Sequence, residues 1–290
     1  MSEGRSRRAP DQPSRVEFSF DRVRADRTRG AFSLSAEALG TLAHLVNGWS
    51  SLSRSEVRRT IRATARDLEQ AQPAMGPFLR WSSDLRSIAR SHSGRGSVVR
   101  ARTWVRRERS RLRAERAGLV RTSRERFPPA HRVVTLSRSR SVLWALEARK
   151  GSPRSVIVNV LESLPGGEGR IFAKELRRGG LAARVIPDAE GLVEVMAADL
   201  LLIGADAVFS DGSVVHKVGT RALAGAAARA GVPVVVVAGR SKFTLRPPPR
   251  RKLPAIFDRT PSRYISEFWT DRGVRPGGAP PARRIRRTSL

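Results

Sequence analysis

The chain alternates between two textures of apolar positions. Up to about residue 126 they recur at helical spacing. Leu34, Leu39, Leu42, Leu45 and Val46 predict a helix over 33–50. A second helix is predicted over 54–71, capped by Ser53 or Ser55 and stopped by Pro73. Others follow over 77–91 and 97–126, the last with a thin stripe that includes Ala101, Trp104, Val105, Leu112 and Leu119. After Pro128-Pro129 the pattern changes to short apolar runs separated by helical stretches. Runs over 133–136, 155–161, 182–186, 200–209 and 232–238 predict strands. Helices are predicted between them over 140–149, 167–178, 188–198 and 218–230. Continuous apolar strands alternating with helices indicate a parallel sheet covered on both faces. The expected architecture is α/β: a helical N-terminal domain over 16–126, then a Rossmann-like, doubly wound parallel sheet over 127–271. Residues 1–15 read as a disordered basic arm and 272–290 as a disordered basic tail.

Sites in doubly wound sheets lie beyond the carboxyl ends of the strands. That rule selects the loops 137–141, 162–169, 204–220 and 239–243. They gather glycine, serine and cations, including Ser137, Arg138, Ser139, His216, Lys217 and Lys242. Glycine lets a backbone approach an anion, and helix N-termini with Lys or Arg supply charge. A phosphate or sugar phosphate suits such loops. Asp206 is the one strand-end carboxylate with apolar flanks, which suits either a proton shuttle or a turn residue.

Composition narrows the chemistry further. The 290 residues contain no cysteine and four histidines without metal-ligand spacing, so thiol, disulfide and zinc chemistry are not expected. Neither a Gly-rich dinucleotide fingerprint nor a nucleoside-triphosphate loop is present, and no cofactor is expected. No apolar run is long enough to span a bilayer and no signal peptide opens the chain, so a cytoplasmic protein is expected. The net charge is +30, from 56 basic and 26 acidic residues. Residues 100–126 hold eleven Arg against three Glu, a local +8 that makes RNA a candidate partner.

Several ordered motifs resemble the eukaryotic initiation factor 2B alpha/beta/delta subunit family. That family includes methylthioribose-1-phosphate and ribose-1,5-bisphosphate isomerases. The motifs are GADAVFSDGSVVHKVGT (204–220), Ser241-Lys-Phe243, FDRTPSRYIS (257–266), ESLPGGEGRIFAKEL (162–176) and TLSRSRSV (135–142). Gln72-Pro-Ala-Met75 and Arg29-Gly30-Ala31 fit the pattern more weakly, and the resemblance covers roughly 20–271. It implies a helical domain before a Rossmann-like sheet, dimers formed through the C-terminal domain, and a phosphorylated ligand. Asp206 is its proton-transfer residue. Arg29, Gly30, Ala31, Lys217 and Lys242 are the ligand contacts it implies, and the strand-end loops add Arg138, Ser139, Glu162 and His216 as candidate ligand contacts. Ser137 stands where the isomerases have a catalytic cysteine, Leu164 where an arginine is usual, and His216 where asparagine is usual. A non-catalytic member binding a phosphorylated sugar or nucleotide is expected, with a cofactor-independent aldose–ketose isomerase or an RNA-associated module as the alternatives.

Overall fold

The computed structural model describes residues 19–26, 29–149, 156–245 and 253–279. The expected arm at 1–15 and the end of the expected tail lie outside them. Five helices come first: α1 (Asp21–Ala25), α2 (Ala31–Gly48), α3 (Arg54–Ala71), α4 (Gly76–Ser91) and α5 (Arg95–Arg126). At the start of α3, Ser53 is the cap. Its Oγ accepts from the Glu56 N–H at 3.4 Å, and the Glu56 carboxylate accepts from the Ser53 N–H at 2.8 Å. Leu34, Leu42, Ile61, Leu68, Phe78 and Trp81 fill the core between these helices.

The second half holds β1 (Arg132–Leu136), α6 (Arg140–Glu147), β2 (Ile157–Leu161), α7 (Glu168–Arg178), β3 (Ala182–Ile186), α8 (Gly191–Met196) and β4 (Leu200–Ile203). It continues through β5 (Ala207–Val208), β6 (Val214–Lys217), α9 (Thr220–Ala230), β7 (Val234–Val237), β8 (Phe257–Thr260), β9 (Glu267–Thr270) and β10 (Gly273–Pro276). The large sheet runs β10-β9-β7-β4-β1-β2-β3. All its neighbours are parallel except the β9–β10 hairpin. Successive residues feed opposite faces. Val133, Leu200, Leu202 and Val235 pack in one core with Trp144 and Phe172. Val134, Leu201, Ile203 and Val234 pack in the other with Leu223 and Ala227. Both faces are therefore covered, as continuous apolar strands require.

Helix α5 joins the halves. Trp104 and Leu112 belong to the helical core, and Leu119 belongs to the sheet core. Among the described residues, no helix is long and apolar enough to cross a membrane.

Three expectations need correction. The run 200–209, expected as a strand running into a loop, leaves the large sheet after Ile203 but does not stay a loop: it pairs again as β5. The stretch 204–220 is not wholly loop, because β6 lies within it and forms a small antiparallel sheet, β5-β6-β8. The tail does not begin at 272, because Gly273 to Pro276 pair with β9 as the sheet's edge strand.

Candidate functional site

Strand order reverses between β1 and β4, which is where ligands enter doubly wound folds. A cavity of about 460 Å³ lies there, between the carboxyl ends of these strands and the helical half. Helix α2 points its N-terminus into it through Gly30 and Ala31. Gln72 fixes the approach to α2, its buried amide donating to the carbonyls of Val23 at 2.6 Å and Asp26 at 3.2 Å.

Asp206 sits where the chain crosses from β4 to β5. Its N–H donates to the Val215 carbonyl at 2.8 Å, and its carbonyl accepts from the Gly76 N–H at 2.8 Å. Burial pushes its carboxyl pKa up; the Lys242 charge and the Ala31 N–H pull the other way. Lys242 is 5% exposed. Burial pushes its pKa down, opposed by the charges of Asp206 and Glu115. The turn that carries Lys242 is anchored by Glu115 of α5, which accepts from the Ser241 N–H at 2.7 Å and the Ser241 hydroxyl at 3.0 Å.

His216 is buried on β6. The Thr220 hydroxyl donates to the Lys217 carbonyl at 2.5 Å. With that single proton committed, Thr220 Oγ1 accepts from His216 Nδ1 at 3.2 Å. The Nε2 lone pair is then free. Gly204 leaves room for both Ser139 and His216: a Cβ there would lie 2.3 Å from Ser139 Oγ and 3.3 Å from His216 Nε2. Burial and the charges of Lys242 and Lys217 hold the imidazole pKa at about 3.

The remaining cations are largely matched. Lys217 Nζ lies 2.9 and 3.0 Å from the two Glu168 oxygens. Arg138 grips Glu175 with Nε at 3.0 Å and with Nη2. Arg29 bonds Asp26 at 2.6 Å and Glu37 at 2.7 Å. Ser137 takes a left-handed backbone, with φ 60°, and its N–H donates to Ser163 Oγ at 2.6 Å. Ser163, also left-handed at φ 67°, is held through its N–H by Asp188 at 2.8 Å. The Ser139 hydroxyl caps α6.

The cavity therefore brings together Arg29, Gly30, Ala31, Ser137, Arg138, Ser139, Asp206, His216, Lys217 and Lys242. Glu162 is not among its walls; it pairs with Arg170 at 2.7 Å. Sequence reasoning missed Glu168 and Glu175, the carboxylates that neutralise Lys217 and Arg138. Each pair spans a long stretch of chain, 49 residues for one and 37 for the other. Only the surplus of loop cations hinted that carboxylates would meet them. Among the described residues, no three His, Asp or Glu side chains gather to hold a metal.

A model of the initiation factor 2 subunit family matches residues 27–253. Ribose 1,5-bisphosphate isomerase of Haloferax volcanii is 29% identical over 280 residues, covering 86% of this chain and 84% of that one. A putative translation initiation factor eIF-2B subunit 2-like protein of Pyrococcus abyssi is 27% identical, covering 90% and 96%. The solved translation initiation factor eIF-2B of Pyrococcus horikoshii has the same fold, with a TM-score of 0.74 at 24% identity, covering 91% and 97%. Matched over most of its length and folded as those relatives are, the chain belongs to the initiation factor 2 subunit family.

Proposed function

We propose that the protein binds a phosphorylated sugar or nucleotide in the Asp206 cavity and does not isomerise it. Lys242 carries this reading. It is buried in the wall of the cavity that the N-terminus of α2 also lines, and it makes no ion pair within 4.0 Å among the described residues. A phosphate between Lys242 and the Gly30-Ala31 backbone supplies a direct ion pair, which Asp206 and Glu115, acting on Lys242 only through longer-range charge, do not. Asp206 and His216 Nε2 are then placed as acceptors for ligand hydroxyls.

Moving a proton between adjacent sugar carbons needs a donor as well as a base. The chain has no thiol, and the Ser137 hydroxyl is a far weaker acid than a thiol, whose pKa is about 8.5. His216 is neutral above about pH 3 and donates nothing from Nε2. The isomerase reading rests on one specific observation: the raised pKa of Asp206 suits a group that both takes and returns a proton.

Incubation with ribose-1,5-bisphosphate or with AMP, followed by NMR, separates these readings. The expected result is ligand line broadening without ketose. Lys242→Met is expected to weaken binding about 10- to 100-fold, the size of a charge-assisted hydrogen bond. Ketose formation that vanishes in Asp206→Asn would replace this reading with the isomerase. No broadening by either compound would end it.

A homodimer through the C-terminal half is proposed as well. Leu192, Val193 and Met196 of α8 are 45%, 68% and 51% exposed, and Leu192 shares a surface depression with Ala222 and Gly225 of α9. Exposed apolar groups gathered on one face suit a self-complementary contact. Light scattering should give twice the 31.9 kDa chain mass, and Val193→Glu should halve it. A monomeric mass for the unaltered protein would refute the dimer.

A further inference from the structure

Helix α5 carries charge that its packing does not use. Arg106, Arg109, Arg113, Arg116 and Arg124 are exposed and follow one another at three, four, three and eight residues. At 3.6 residues per turn they form one stripe, about 27 Å long at 1.5 Å per residue. The face opposite buries Trp104, Glu108, Glu115 and Leu119. Arg116 reaches Glu147 at 3.5 Å across an exposed surface. The other four meet no carboxylate within 4.0 Å among the described residues. Like charges at this spacing repel by about 0.2–0.5 kcal/mol per pair, so the stripe opposes folding of the isolated chain. A shallow groove runs along its C-terminal half, with Ala117 and Val120 between Arg113, Arg116, Arg121 and Arg124 and one carboxylate, Glu125, at its wall.

We propose that this stripe docks the phosphate backbone of duplex DNA without reading its sequence. The surface chemistry selects that occupant. Protein interfaces are anchored by aromatic or large apolar side chains, and between these arginines stand Ser110, Ala114, Ala117 and the half-buried Val120, none of them aromatic. Single strands are gripped by stacking on aromatic rings, and no large exposed apolar side chain among the described residues is aromatic. What remains is a straight row of guanidinium groups, suited to closely and regularly spaced phosphates. The major groove of B-form DNA admits a helix, whereas that of duplex RNA is too deep and narrow. The stripe is separate from the Asp206 cavity, whose walls include none of its residues.

Fluorescence anisotropy of the full chain with a labelled DNA duplex tests this. Five neutralised phosphates predict a slope of log K against log[salt] of about −4.5, roughly a 500-fold loss of affinity between about 50 and 200 mM salt. Replacing all five arginines by Gln should remove that part of the slope, and Arg113→Gln alone should remove about 0.9. Arg113→Lys should restore it, because the contact is electrostatic. Thermal unfolding checks that the variants fold, and the single variants preserve the test if the fivefold variant does not. An unchanged slope in the fivefold variant would overturn the proposal by moving the binding to other cations of the chain. So would tighter binding to duplex RNA or to single-stranded DNA of equal length. Equal competition by polyglutamate would overturn it in favour of an acidic protein partner.

Discussion

Acidification from pH 7 to about 4.5 should cost the native protein about 2.5 kcal/mol more than it costs His216→Gln. In the unfolded chain this imidazole titrates near its ordinary value of about 6.5. In the folded protein it stays neutral to about 3, because it is buried and faces the charges of Lys242 and Lys217. Between those values the unfolded state holds the extra proton, so stability is present above pH 6.5 and drains as pH falls toward 3. Each pH unit in that window removes about 1.4 kcal/mol. Asp206 acts with the opposite sign. Its raised pKa means that the folded state takes up a proton more readily, so its contribution grows as pH falls. Carboxylate effects of this kind are common to both proteins and cancel in the difference. Glutamine keeps a donor for Thr220 Oγ1 without the titration. Urea midpoints of both proteins at the two pH values measure the effect. Equal losses would mean that His216 is not shielded from protonation.

The same imidazole shows where a sequence is legible and where it is not. The strands β4 and β7 announce themselves because each is a run of apolar residues buried on both faces, and β1 and β2 because all but their first residues are buried and only Thr135 and Asn159 interrupt the apolar run. The helices α2 to α5 announce themselves by period. Strand β6 does not. It holds two valines followed by His216 and Lys217, it is only four residues long, and its partner β8 lies about forty residues further on. No local pattern encodes that pairing. The β9–β10 hairpin is hidden for a related reason. Phe268 and Trp269 are buried by β7 and the facing helices, but the two flanking strands are too short to show alternation.

The site divides in the same way. Asp206, Lys242 and the Gly30-Ala31 turn were legible from strand-end position and motif order, and the cavity brings them together. The carboxylates that match its other cations were not. The Lys217–Glu168 and Arg138–Glu175 pairs depend on how α7 returns over the strand ends, which is a property of the fold and not of either segment. The sequence offers Lys217 as a phosphate clamp or a turn cap and Arg138 as a ligand contact; each presents a charge already held by a neighbouring carboxylate. A ligand phosphate at either position has to compete with a carboxylate. On the proposed reading, Lys242, which has no ion pair within 4.0 Å among the described residues, is therefore the stronger anchor.

Gly76→Ala should cost about 3 kcal/mol or more and weaken ligand binding with it. The first residue of α4 lies directly against the backbone that carries the site. Its N–H donates to the Asp206 carbonyl at 2.8 Å. A Cβ there would stand 2.1 Å from the Lys242 carbonyl oxygen, 2.9 Å from the Lys242 carbonyl carbon and 3.3 Å from Ala207 Cα. All three are backbone atoms, so no rotamer change relieves the overlap. Either α4 retreats and surrenders the bond to Asp206, or the Lys242 turn shifts and pulls at the Glu115 anchor. Both moves disturb packing that is tight on each side, in the range of severe overpacking. At about 2–4 °C per kcal/mol for a chain of this size, the melting temperature should fall by roughly 6–12 °C. Gly40→Ala is the control. It lies inside α2 with nothing within 4 Å of its Cβ position, and alanine there should add up to about 1 kcal/mol. Thermal unfolding of the two variants decides the matter. A Gly76→Ala protein as stable as the unaltered one would mean that α4 does not sit closely on the Asp206–Lys242 backbone. The helical half would then be a cover for the site and not one of its walls.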